Sequence, residues 1–164
     1  MTPPSSPSAP SPTVHVSLDE TWMRRALELA RGAEARGEVP VGAVIVRHGV
    51  VLGEGSNRTI EDADPTAHAE VVAIRAAAAL EGDWRLLDTT LYVTLEPCTM
   101  CAGAIVLARI PRVVFATYDP KAGMGGSIEN LLQDARLNHR CAVTSGVLAN
   151  EASAMLKDFF RSRR

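Results

Sequence analysis

Apolar side chains at Trp22, Ala26, Leu29, Ala30 and Ala33 recur every three to four positions between Asp19 and Arg36. That spacing predicts an amphipathic first helix, with Ser17 or Asp19 as its cap. The β-branched runs "VPVGAVIVR" and "VVLGEGSN" meet at His48-Gly49, a connection short enough to predict an antiparallel hairpin. After a polar loop, "TAHAEVVAIRAAAAL" reads as a helix, "TTLYVTL" as a buried strand, "CTMCAGAIVLARI" as a helix and "RVVFAT" as a second buried strand. This alternation is the pattern of parallel βαβ units. A Gly-rich loop, "DPKAGMGGS", then leads to a short helix near Leu131, a strand "CAVTSGV" and a last helix from Asn150 to Arg163. The expected fold is α/β: a three-layer α/β/α sandwich around a central mixed sheet of about five strands.

A chain of 164 residues is long enough for one compact domain and short for two. It is 46% apolar, yet no apolar run approaches the ~20 residues of a membrane span. The start, "MTPPSSPSAPSPT", holds five of the ten prolines and no charged side chain, so residues 1–16 are expected to be a disordered extension and 17–164 the folded domain. The extension has neither the basic start and apolar segment of a secretory signal nor the arginines of a transit peptide. A net charge of −2 argues against a strongly basic nucleic-acid binder, but the charge is uneven: "KDFFRSRR" places three arginines and a lysine beside two phenylalanines. Three cysteines cannot close a disulfide framework, so Cys98 and Cys101 read as a metal-binding or redox pair in a reducing, cytoplasmic setting.

Zinc takes thiolate and imidazole ligands in a tetrahedron, with all four corners filled by protein in a structural site and three in a catalytic one. Cys98 and Cys101, three apart at a helix start, can chelate one ion, and the helix dipole favours their thiolate form. Pro97 suits the first helical position, where the amide lacks an intrahelical partner anyway. A CxxC pair also serves redox chemistry or half of a structural zinc knuckle. No second CxxC follows, however, and this pair lies after a hairpin, two helices and a third strand, unlike a thioredoxin-type motif. His68, opening the second helix, fits as the third ligand, and Glu70 as a carboxylate able to move protons of a metal-activated water. Residues i and i+2 do not share a helix face, so the pair must flank the site at the very end of the helix. His139, two residues before Cys141, is a further histidine to weigh as a fourth ligand; His48 sits in the hairpin turn, and Cys141 reads as a small buried hydrophobe.

His68-Ala-Glu70 with Pro97-Cys98-Thr-Met-Cys101 is the H-x-E…P-C-x-x-C signature of zinc nucleobase deaminases. More closely, "EVPVGAVIV", "GEGSNR", "DPTAHAE", "TLYVTLEPCTMCAGA", "RVVF", "NHR" and "DFFRSRR" resemble the bacterial tRNA-specific adenosine deaminases, over essentially residues 18–164. The resemblance implies one Zn2+ per subunit held by His68, Cys98 and Cys101, and hydrolytic deamination of adenosine to inosine at the wobble position of an arginine tRNA. Zinc-activated hydroxide would attack C6 while Glu70 shuttles protons. It further implies that Asn57 contacts the flipped nucleotide, that Asp119 lies at the mouth of the site, and that the enzyme is a cytoplasmic homodimer. His139 is not a ligand in that family. Phe160, Arg161, Arg163 and Arg164 supply the stacking and phosphate contacts that a splayed RNA loop needs, with Phe159 the more core-like of the two rings. The alternatives are a free guanine or nucleoside deaminase sharing the metal core, and a zinc-stabilised RNA-binding module without catalysis.

Overall fold

A computed structural model describes residues 12–163, with side chains from residue 18 onward. The chain runs α1 (Pro12–Ala35), β1 (Gly42–Arg47), β2 (Val50–Ser56), α2 (Ala69–Glu81), β3 (Thr90–Leu95), α3 (Thr99–Leu107), β4 (Arg112–Thr117), β5 (Ala142–Ser145) and α4 (Ala149–Arg161). The strands form one sheet in the order β2-β1-β3-β4-β5. Pairing is antiparallel between β1 and both β2 and β3, and parallel from β3 through β4 to β5, so the sheet is mixed as the strand pattern predicts.

Side-chain alternation along the strands builds two cores. Ala43, Ile45, Leu91, Val93, Val113 and Phe115 face one way and meet α2 and α3. Val44, Val46, Tyr92, Val114 and Ala116 face the other way and meet α1 and α4. Both faces are therefore dry, which is why the central strands read as continuous apolar runs. The result is the expected three-layer sandwich.

Two short devices set the layers. The hairpin turns on His48 and Gly49 alone, with φ of 47° and 76°, the positive pair that a two-residue turn matching strand twist requires. On the opposite core face, Gly53 and Gly55 of β2 lie directly under α2, where any Cβ would collide with backbone atoms of Ala69, Ala73 and Ala77. An alanine stripe on glycine thus seats α2 deep against the sheet.

Several boundaries differ from expectation. α1 begins at Pro12, so residues 12–16 continue the helix; a proline is tolerated there because the first amides of a helix have no intrahelical acceptor. Residues 1–11 of the expected extension lie outside the described residues. Asp19 is no cap but a buried side chain inside α1, accepting from Arg112 Nη1 and Nη2 (2.8 and 2.7 Å) and from the Tyr92 hydroxyl (3.0 Å). Around Leu131 the described residues form turns and a Gly125–Asn130 bridge instead of a helix, held by Asn130 and Gln133 hydrogen bonds.

Candidate active site

His68 and Cys98 are the N-cap residues of α2 and α3, both in extended backbone conformation (ψ 154° and 179°). This resolves the i, i+2 problem: His68 precedes the helix and Glu70 lies in its first turn, so the two turn toward one space. Pro97 stands one place before the cap, not at the first helical position, and its carbonyl accepts from Met124 N–H at 2.8 Å. Cys98 and Cys101 each place their sulfur 3.6 Å from His68 Nδ1. Zn–S bonds of about 2.3 Å and Zn–N bonds of about 2.05 Å at a tetrahedral angle put neighbouring N and S donors about 3.6 Å apart. The donor set and its spacing therefore fit zinc. Among the described residues, no fourth His, Cys, Asp or Glu joins this group, whose donor atoms all lie within 4.8 Å of one another. Three protein donors is the number a catalytic zinc site uses.

The three donors and Glu70 perturb one another's titration. A hydrogen bond from Cys101, with help from His68, pulls the Cys98 thiol down to about 4, while that same bond and burial push Cys101 up. His68 is raised, first by its bond to Cys98. Glu70 is 4% exposed, and burial raises its carboxyl against the opposing hydrogen bond with Cys101. His68, Glu70 and Cys98 border a cavity of about 200 Å³, together with Asn57, Leu95 and Asp119.

The zinc-binding region of cytidine and deoxycytidylate deaminases matches residues 16–117, a span that includes all three donors and Glu70. This chain belongs to that deaminase family. A tRNA-specific adenosine deaminase of Haemophilus influenzae is 54% identical over 152 residues, covering 92% of this chain and 88% of its own. The solved structure of a tRNA:A34 deaminase, active in A-to-I editing at the wobble position of transfer RNA, superposes with a TM-score of 0.80 at 45% identity, over 83% of this chain and 99% of that one. A guanine deaminase of Bacillus subtilis superposes with a TM-score of 0.59 at 47% identity, over 60% of this chain and 64% of that one.

In this deaminase the remaining sequence-predicted residues surround the same opening. Asn57 is 8% exposed at the cavity wall, and no hydrogen bond engages its carboxamide among the described residues. Asp119 borders the cavity, yet its Oδ1 also accepts from Lys121 N and Ala122 N (3.1 and 3.3 Å), so it starts a turn as well. A second cleft of about 1040 Å³ shares Val39, Leu95 and Asp119 with the small cavity, and Phe160 and Arg161 of α4 line it together with Arg163 just beyond the helix. Phe159 is buried beneath the Arg163 guanidinium, 3.7 Å from its ring centroid, whereas Phe160 is 51% exposed. Arg164 lies outside the described residues. His139 Nε2 donates to the Ile110 carbonyl (2.8 Å) and takes no part in the donor group. Cys141 is buried, and burial pushes its thiol up to about 11.

Two buried carboxylates escaped the sequence reading. Glu96 accepts from the backbone N–H groups of Asp119 (2.9 Å), Gly125 (2.9 Å) and Ser127 (3.0 Å) and from the Ser127 hydroxyl. Burial alone would raise its carboxyl, but these donors hold it below its ordinary value. Glu38 does the same for the loop before His68, accepting from Ile60 N (2.9 Å), Glu61 N (2.8 Å) and Thr59 Oγ1 (3.3 Å). Neither has a periodic signal; each is a glutamate whose partners are loop amides, which no sequence pattern reveals. The only cue was Glu96's place beside Pro97-Cys98.

Proposed function

We propose that this deaminase converts adenosine to inosine at the wobble position of the anticodon of an arginine tRNA. The observation that carries this reading is that the two cavities adjoin, sharing Val39, Leu95 and Asp119 in their linings. The small cavity has room for one base. The cleft beside it, lined by Lys121, Phe160, Arg161 and Arg163, has the charge and ring surface for the rest of an RNA loop and no use for a free base.

The reaction consumes water and releases ammonia: a C6–O bond forms and the C6–N bond breaks. Zinc held by His68, Cys98 and Cys101 supplies, when bound, a water acidic enough to act as nucleophile near neutral pH. Glu70, buried beside Cys101, carries one proton of the attacking water to the adenine ring nitrogen, and then carries the second, from the new C6 hydroxyl, to the departing amine. Asn57 offers its carboxamide to the flipped nucleotide, and Asp119 bounds the mouth through which that nucleotide enters. Phe160, Arg161, Arg163 and Arg164 hold the loop outside.

A homodimer and a cytoplasmic location belong to the same proposal. Leu107, 68% exposed on α3, offers apolar surface to a second copy, and thiol ligands suit a reducing compartment. Among the described residues, no helix is long and apolar enough to cross a membrane. Sedimentation of the zinc-loaded protein tests the dimer.

The second reading, a free guanine or nucleoside deaminase, draws on the guanine deaminase likeness. Single-turnover assays on an anticodon stem-loop beside free adenosine, guanine and cytidine decide between them. The stem-loop is the expected substrate, and turnover confined to free bases would remove the tRNA reading.

A further inference from the structure

The large cleft contains an aromatic ring that neither the metal centre nor the α4 tail explains. Tyr118 follows β4 directly, adjoins Asp119, and is 53% exposed. Its ring is nonetheless fixed at two points. It packs edge-to-face against the fully buried Phe115, with centroids 5.1 Å apart and 83° between planes. Its hydroxyl pairs with Ser145 Oγ at 2.9 Å, at the end of β5.

A ring anchored in this way keeps open surface in a cleft whose lining also includes Lys121, Lys157, Arg161 and Arg163. Single-stranded nucleic acid is held by that combination, with bases stacked on rings and phosphates set against cations. Fixing the ring beforehand removes much of the ordering cost that stacking would otherwise carry. The core alone does not account for the residue, since a ring serving only to close β4 onto β5 would bury its faces.

We propose that Tyr118 is a stacking platform for the unpaired nucleobase adjoining the target adenosine. The inference rests on the tRNA reading: the target base enters past Asp119, and the residue next to Asp119 in the chain meets the next nucleotide of the RNA. Phe160, on α4 in the same cleft, is then a separate ring for a more distant base.

The test is a protein–RNA coupling experiment with zinc-loaded wild type, Tyr118→Ala, Tyr118→Leu and Tyr118→Phe. Anticodon stem-loops carry either normal bases or an abasic residue at one nucleotide flanking the target. Base–ring stacking corresponds to about a 5- to 150-fold effect on kcat/KM. Wild type should lose that factor when the base on the Tyr118 side is removed. Tyr118→Ala and Tyr118→Leu should lose it on the intact RNA, mainly through KM, and lose nothing more on the abasic RNA. Leucine retains apolar bulk against Phe115, so it guards against a folding defect in the alanine variant. Tyr118→Phe should match wild type, because only the Ser145 bond is removed. Losses that add at both flanking positions, or truncated variants that equal wild type, would overturn the platform. Wild type that fails to deaminate any stem-loop would instead overturn the tRNA reading on which the platform stands, before any variant is assayed.

Discussion

Replacing Glu96 with glutamine exchanges one oxygen for an NH2 group and leaves the shape unchanged, which makes its cost calculable from the four donors around it. The glutamine oxygen keeps the place of Oε2 and still accepts from Gly125 N and Ser127 N. Its NH2 then stands where Oε1 accepted from Asp119 N and the Ser127 hydroxyl. The hydroxyl can rotate and accept; the Asp119 amide cannot. One N–H left unpaired costs about 1–3 kcal/mol, and turning the two surviving bonds from charge-assisted to neutral costs about 1 kcal/mol each. The expected loss is about 3–5 kcal/mol at pH 7, or a fall in Tm of roughly 6–20 °C for a chain of this size. Urea and thermal unfolding of the zinc-loaded proteins measure it, with kcat/KM on the stem-loop reporting the displaced Asp119. Because the Glu96 carboxyl titrates lower when folded than when unfolded, its stabilisation is present above the ordinary carboxylate range and fades as pH falls through its lowered value. Wild type and variant should therefore converge in acid. A difference under 1 kcal/mol at pH 7, or one that widens as pH falls, would refute the reasoning.

Glu70→Gln should retain one zinc per chain by metal analysis and lose about 10²- to 10⁴-fold in single-turnover rate, the range expected for a missing proton carrier. Dialysis against a chelator should abolish deamination, and one equivalent of Zn2+ should restore it; Cys101→Ala should bind less than one equivalent under the same titration. Asp19→Ala leaves Arg112 and the Tyr92 hydroxyl without their partner and should cost about 3 kcal/mol in urea unfolding, the low end for a broken buried ion pair because the Arg112 side chain remains 27% exposed. Its activity per folded molecule should be unchanged.

Much of this architecture was readable from periodicity and spacing because the features are local. His48-Gly49 supplies both positive φ angles of the hairpin, and the apolar runs of β3 and β4 state burial on both faces. The donor group was readable because cysteines and a histidine have few other reasons to occur in that pattern. What escaped notice depends on distant partners. Asp19 has the chemistry of a helix cap, yet Arg112, 93 positions away, takes its carboxylate into the core. Glu38 and Glu96 look like ordinary surface glutamates until the loops they hold are in place. The segment near Leu131 has helical composition, but side-chain hydrogen bonds from Asn130 and the Cys141 amide bond to the Leu132 carbonyl hold it in turns.

The imidazole and the sulfurs ride on different helices, so the glycine–alanine seam beneath α2 acts as a spacer for the metal site. Lifting α2 off β2 by the thickness of one methyl group would carry His68 away from Cys98 and Cys101 by far more than the ±0.2 Å that a zinc–ligand bond tolerates. Gly53 and Gly55 face Ala69, Val72, Ala73 and Ala77 and no donor atom, yet they set the height at which α2 stands over the sheet, as a shim under a bearing sets its clearance.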